Sequence, residues 1–162
     1  MKKIQPWLGL AARLILGGTL IAAGYLKFDE LDKSQMAVRA YEMLPIPLAN
    51  FLGIVVPFFE LAVGILLVIG AGVRISAALS ALLMIAFMIA ITQAWARGLS
   101  IDCGCFGGGG QVPEGEANYL TPLLRDTGLA LLGIYLTLFP HTKFGLDKKP
   151  QSATQIGEGT HG

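Results

Sequence analysis

LANFLGIVVPFFELAVGILLVI (residues 48–69) is followed by Gly70-Ala71-Gly72-Val73 and then by RISAALSALLMIAFMIAITQAW (residues 74–95). Each run matches the roughly 20 apolar residues that a helix needs to cross a bilayer core. A four-residue link with two glycines leaves no room for a crossover, so the two runs predict an antiparallel helical hairpin. Further runs lie on either side. One extends from about Pro6 to Tyr25, with Pro6 where a first-turn proline fits. The other extends from about Leu120 to Phe139. The reading is all-α: an integral membrane four-helix bundle with spans at about 6–25, 48–69, 74–95 and 120–139.

Composition agrees. Of 162 residues, 54% are apolar and only 14% charged, against roughly 25% charged in soluble domains. Mean hydropathy is +0.63. A net charge of +1 gives no steering toward nucleic acid. Two cysteines are too few for a disulfide scaffold, and the two histidines, His141 and His161, lie outside the apolar runs. No metal site is expected within the chain. Arg13 interrupts the first run, which is also longer than the 7–15 residues of a signal sequence, so a retained span is expected rather than a cleaved leader.

Basic residues set the orientation. Lys2, Lys3, Arg74, Lys143, Lys148 and Lys149 fall on one side. Lys27, Lys33, Arg39 and Arg97 fall on the other, diluted by acids. The bias predicts a multi-pass cell-membrane protein with both termini cytoplasmic and the loop bearing Cys103 and Cys105 outside, in an oxidising compartment. In the first outer loop Met36, Ala40, Met43 and Leu44 recur at helical spacing, which predicts a short amphipathic helix ended by Pro45 and Pro47. Residues 1–149 form the membrane domain in this reading. Residues 150–162, rich in Gly, Ser, Thr and Gln, form a disordered cytoplasmic tail.

Charge inside hydrocarbon costs at least about 2.5–3.5 kcal/mol per group. Arg13, Glu60, Arg125 and Asp126 are therefore expected to face the bundle interior, with Gln93 completing an intramembrane polar network. Four stripes carry all of these but Arg125: Arg13, Gly17, Leu20, Gly24 and Lys27; Gly53, Pro57, Glu60 and Gly64; Ala86, Ala90, Gln93 and Arg97; Pro122, Asp126, Leu129 and Gly133. Small residues admit close helix approach, and polar groups bond across it. At 1.5 Å per residue Arg13 lies about 10 Å from the cytoplasmic end and Glu60 about 18 Å from the outer end, heights that predict a pair. Arg125 and Asp126, about 100° apart on a helix, are expected to find partners on other helices. Such groups serve either as ion pairs fixing register or as the lining of a quinone or proton site.

Cys103-Gly104-Cys105 stands before Gly107–Gly110. Two thiols one glycine apart can close a small strained disulfide, the kind that exchanges readily. Arg97 nearby favours a thiolate and Asp102 opposes it. The pair reads as catalytic for thiol exchange, as a structural disulfide, as two idle thiols, or as half of a metal site completed by another chain. The loop is expected to fold back over the fourth helix, above Arg125 and Asp126.

Arg13-x3-Gly17 through Gly24-x2-Lys27, with Pro57-x2-Glu60 and Gly64, resembles the DoxX-like family of four-helix membrane proteins. Asp102-Cys-Gly-Cys-Phe-Gly107 and Arg125-Asp126 are similar to its MauE branch, over roughly residues 8 to 140. That resemblance implies a redox-associated protein named for methylamine utilisation. It implies a role in maturing a disulfide-rich periplasmic dehydrogenase subunit beside a thioredoxin-like partner. It assigns importance to Cys103, Cys105, Arg13, Glu60, Arg125 and Asp126. Two function classes remain: a thiol–disulfide membrane component passing electrons, with quinone as a candidate carrier, or a non-enzymatic accessory subunit of a larger membrane complex. A transporter is disfavoured, because no pair of broken helices is legible.

Overall fold

The computed structural model describes residues 5–104, 108–140 and 146. Five helices lie within them: α1 (Gln5–Asp29), α2 (Leu31–Ala40), α3 (Ile46–Ile69), α4 (Val73–Ala96) and α5 (Leu120–Leu138). Between α4 and α5, β1 (Ile101–Asp102) and β2 (Gly110–Gln111) pair antiparallel, Ile101 opposite Gln111 and Asp102 opposite Gly110. The tail 150–162 lies outside the described residues.

Three helices, α1, α3 and α4, are long and apolar enough to cross a membrane. Their outer faces suit lipid. Ile75, Leu82 and Ile89 of α4 are more than half exposed, as are Phe51 of α3 and Leu131 of α5. The interior is built from Leu16, Leu20, Val63, Leu67, Ala77, Met84, Leu129 and Leu136.

Helix α1 packs antiparallel on α3 through glycines. A Cβ on Gly17 would lie 2.9 Å from the Gly64 carbonyl oxygen, and one on Gly64 equally close to that of Gly17. One turn-pair further along, a Cβ on Gly24 would lie 2.8 Å from the Pro57 carbonyl. Helix α5 meets α4 in the same way, Gly133 against Ala77 and Ala81. The hairpin link is made by Gly70, in the left-handed region at φ 75°, whose N–H bonds to the Leu66 carbonyl. The Leu146 N–H reaches the Gly70 carbonyl at 2.9 Å, so Leu146 lies at that end of the bundle. Helix α2 and the cysteine loop occupy the opposite end.

Three of the four expected stripes are buried along their whole length. The third is not: Ala86 and Arg97 are exposed, and α4 instead buries Ser76, Ala77, Ser80, Ala81 and Met84. Small residues placed one turn apart give α5 a flatter contact than the Ala86–Gln93 side offers. Helix α2 also differs from expectation. It ends at Ala40, leaves Met36, Met43 and Leu44 exposed, and buries Ser34, Ala37 and Ala40. The reason is close seating on α3: Ser34 Oγ donates to the Gly53 carbonyl at 2.7 Å, and a Cβ on Gly53 would lie 2.6 Å from the Gln35 Cα. A larger side chain on that face would hold the helices apart.

Candidate functional site

The cysteine loop is a hairpin turn held at four points. Ile101 is buried in a small cluster with Ala40 and Ala94. Tyr119 Oη donates to the Leu99 carbonyl, and the ring stacks on Trp95 at 6.1 Å between centroids. The Val112 N–H bonds to the Ser100 carbonyl at 2.9 Å. Tyr41 Oη, from just past α2, donates to the Cys103 carbonyl at 3.0 Å.

The turn itself rests on α2, not on α5 as the loop length led us to expect. Gly104 and Gly109 have φ of 66° and 147°, conformations that favour glycine. A Cβ on them would lie 2.6 Å and 2.4 Å from the Ala37 Cβ. Glycines thus let the turn lie flat on Ala37, a seat that a loop with side chains lacks. Cys103 is half-buried there. Cys105 lies outside the described residues.

Beneath the turn, Arg97 and Gln93 hold the C-terminal end of α2. Gln93 Nε2 donates to the Tyr41 carbonyl at 3.0 Å. Arg97 donates to the Tyr41 and Glu42 carbonyls, each at 3.3 Å, and to Gln93 Oε1 at 3.2 Å, and it pairs with the Glu42 carboxylate. Glu42 takes a left-handed φ of 49°, an uncommon conformation for a side-chain-bearing residue. Gln93 accordingly belongs to the α2 clamp, not to a network in the bundle centre. The clamp fixes Tyr41, and Tyr41 fixes the Cys103 backbone.

A second polar cluster lies inside the bundle. Glu60 is fully buried, and Lys27 Nζ donates to both its oxygens, at 2.7 and 2.9 Å. The same ammonium sits 4.9 Å from the centroid of the Phe87 ring, a cation–π contact. The expected Arg13–Glu60 pair is therefore corrected. Lys27, read as a loop cation beyond the first span, is in the last turn of α1, because that helix runs on to Asp29. Arg13 is buried at 2% exposure on the same helix. Its stripe contained the signal: Lys27 follows Gly24 by three residues.

Arg125 and Asp126 also differ from expectation, because they pair with each other. Arg125 Nε and Nη2 both donate to Asp126 Oδ1, at 2.9 and 2.7 Å. The 100° between neighbouring positions separates Cβ atoms, but the long arginine side chain wraps back across that angle. Glu60, Arg125, Asp126, Thr19 and Phe87 line one interior space of about 10 Å³, far below the roughly 300–1,000 Å³ of small-molecule sites. The described residues contain no group of three or more His, Cys, Asp or Glu that could hold a metal.

The comparisons with known proteins bear on this arrangement as a whole. The family described as methylamine utilisation protein MauE matches residues 5–139. The methylamine utilization protein MauE of Paracoccus denitrificans is 32% identical over 129 residues, 79% of this chain and 69% of that protein. No solved structure matches the chain at a significant level.

Proposed function

The chain belongs to the MauE family, and on that footing we propose that it is a membrane component of an extracytoplasmic thiol–disulfide pathway serving methylamine utilisation. The observation that carries this reading is the held cysteine. Cys103 is half-buried, and its carbonyl is fixed by Tyr41 in a turn seated on α2. A nucleophile presented on a restrained backbone meets a partner's disulfide with less ordering cost than one on a free loop.

In this proposal α5 is the fourth span, both termini are cytoplasmic and the cysteine turn faces outward. Its partner is a thioredoxin-like protein. One thiolate of the Cys103/Cys105 pair attacks a sulfur of the partner's disulfide, breaking that bond and forming a mixed disulfide. The other cysteine then attacks the mixed bond. The pair leaves as a disulfide and the partner as a dithiol, two electrons having moved to the partner. A quinol, oxidised to quinone as it returns two electrons and two protons to the pair, is the carrier class proposed to complete the cycle, and it is met at the lipid-facing surface. The small interior space supports that choice.

The accessory-subunit reading is favoured by one observation, the tightness of the seat on Ala37, which also suits a permanent loop disulfide. Trapping in cells separates the two. Cys105→Ser and Cys103→Ser, tested singly, are expected to accumulate a mixed disulfide with a thioredoxin-like protein in at least one case. Cys103 should also react with a membrane-impermeant maleimide added from outside. Absence of a trapped partner with both variants, each present at normal levels in the membrane, contradicts the exchange.

A further inference from the structure

Asp102 ends β1 beside Cys103, and its side chain is folded into the cysteine turn. Its Oδ1 accepts the Gly104 N–H at a long 3.5 Å. A Cβ on Gly108 would overlap its Oδ2, so the carboxylate fills space that a glycine at 108 leaves open. The turn around it is held, by Tyr41 on the Cys103 carbonyl and by the contact of Gly104 and Gly109 with Ala37. Cys103 is thus presented with a carboxylate on the adjoining residue, placed by the same turn. The cations on the elements around the turn have acids of their own. Lys33 of α2 pairs with Glu30, and Arg97, just past α4, pairs with Glu42. Arg39, two positions along α2 from Ala37, leaves that helix about 200° away from the contact. Strand β2 contributes Gly110 and Gln111, which carry no charge.

We propose that Asp102 is a specificity-determining residue for exchange at Cys103: its carboxylate holds negative charge at the turn and selects a partner that presents a cation beside its disulfide. The proposal rests on the thiol–disulfide reading and names the chemistry of the partner's surface. Attack requires an anionic sulfur, and a carboxylate next to it opposes that charge. The same carboxylate repels an approaching disulfide that is itself anionic. A Lys or Arg flanking the partner's disulfide offsets both effects, and it does so only once the partner has docked. Small anionic disulfides gain no such relief. The selection acts within about 10 Å at ordinary ionic strength, so it is exercised at the turn and not by the protein's net charge.

Exchange with small disulfides of opposite charge tests this, on the full chain in phosphatidylcholine nanodiscs. Cys105→Ser leaves Cys103 as the chain's one thiol. Its thiolate attacks one sulfur of the reagent, the reagent's S–S bond breaks, and a mixed disulfide forms while the other half leaves as a thiol. The probes are cystamine, which is cationic, and dithiodiglycolate, which is anionic. The ratio of their rates is expected to fall about fivefold in Asp102→Asn, which keeps an acceptor for Gly104 and removes the charge. Salt at about 1 M, which screens to about 3 Å, should lower the ratio in the same direction. Glu116→Gln, which removes an exposed acid elsewhere in the loop, should leave it unchanged. A ratio unmoved by Asp102→Asn, or moved as far by Glu116→Gln, overturns the assignment. Should Asp102→Asn fail to fold, the salt series decides, and a ratio indifferent to salt overturns it. These rates need no native partner, so their failure leaves the trapping result standing, and failure to trap a partner leaves them readable.

Discussion

Glu60→Gln and Lys27→Met are each expected to destabilise the protein by about 3–5 kcal/mol, while Lys27→Met combined with Glu60→Leu recovers most of the loss. A folded domain holds only about 5–15 kcal/mol in reserve, so either single change removes a large part of it. The asymmetry follows from burial. The Glu60 side chain is 0% exposed and that of Lys27 6%, so a lone survivor remains an uncompensated charge at low dielectric. Removing both takes away the penalty along with the attraction. Unfolding of the detergent-solubilised protein measures the cycle. A strong coupling between positions 27 and 60 is expected, with near-additive losses for Arg13→Gln combined with Glu60→Gln. Coupling of Glu60 to Arg13 in place of Lys27 would contradict the geometry.

The second large effect concerns the seat of the cysteine turn. Gly109→Val forces a β-branched side chain onto Ala37 at a φ of 147°. The turn must lift from α2, while the bundle below is untouched. If lifting becomes easier by about 1.4 kcal/mol, the open population rises about tenfold. Alkylation of Cys103 in the reduced protein should accelerate by that factor, with the unfolding midpoint little changed. Tyr41→Phe, which removes the hydroxyl that holds the Cys103 carbonyl, should act in the same direction and more weakly. Unchanged alkylation in Gly109→Val means that the seat does not restrain the cysteine.

Much of this was legible in the sequence, for identifiable reasons. Long apolar runs and the Gly70–Val73 link gave the long helices, because hydropathy and loop length suffice for them. Glycine spacing on α1 and α3 located their contact, since Gly17, Gly24 and Gly64 admit backbones that close. Partner choice was not legible. Ending the first span at Tyr25 treated Lys27 as solvated, although four more residues of α1 carry it onto Glu60. Reading Arg125 and Asp126 by Cβ direction ignored side-chain length. Apolar periodicity misplaced the buried face of α2, because a close contact with Gly53 selects small residues over large apolar ones. Nothing in the sequence ties Gly104 and Gly109 to a partner, whereas in the fold both lie against Ala37.

The most direct test of the thiol–disulfide assignment is a redox titration of the purified protein, with Cys103 and Cys105 read by alkylation across a graded thiol–disulfide buffer. The expected midpoint lies well above the roughly −300 mV beneath which structural disulfides lie. A pair that stays oxidised at poises more reducing than that is structural, and it contradicts exchange as the protein's activity.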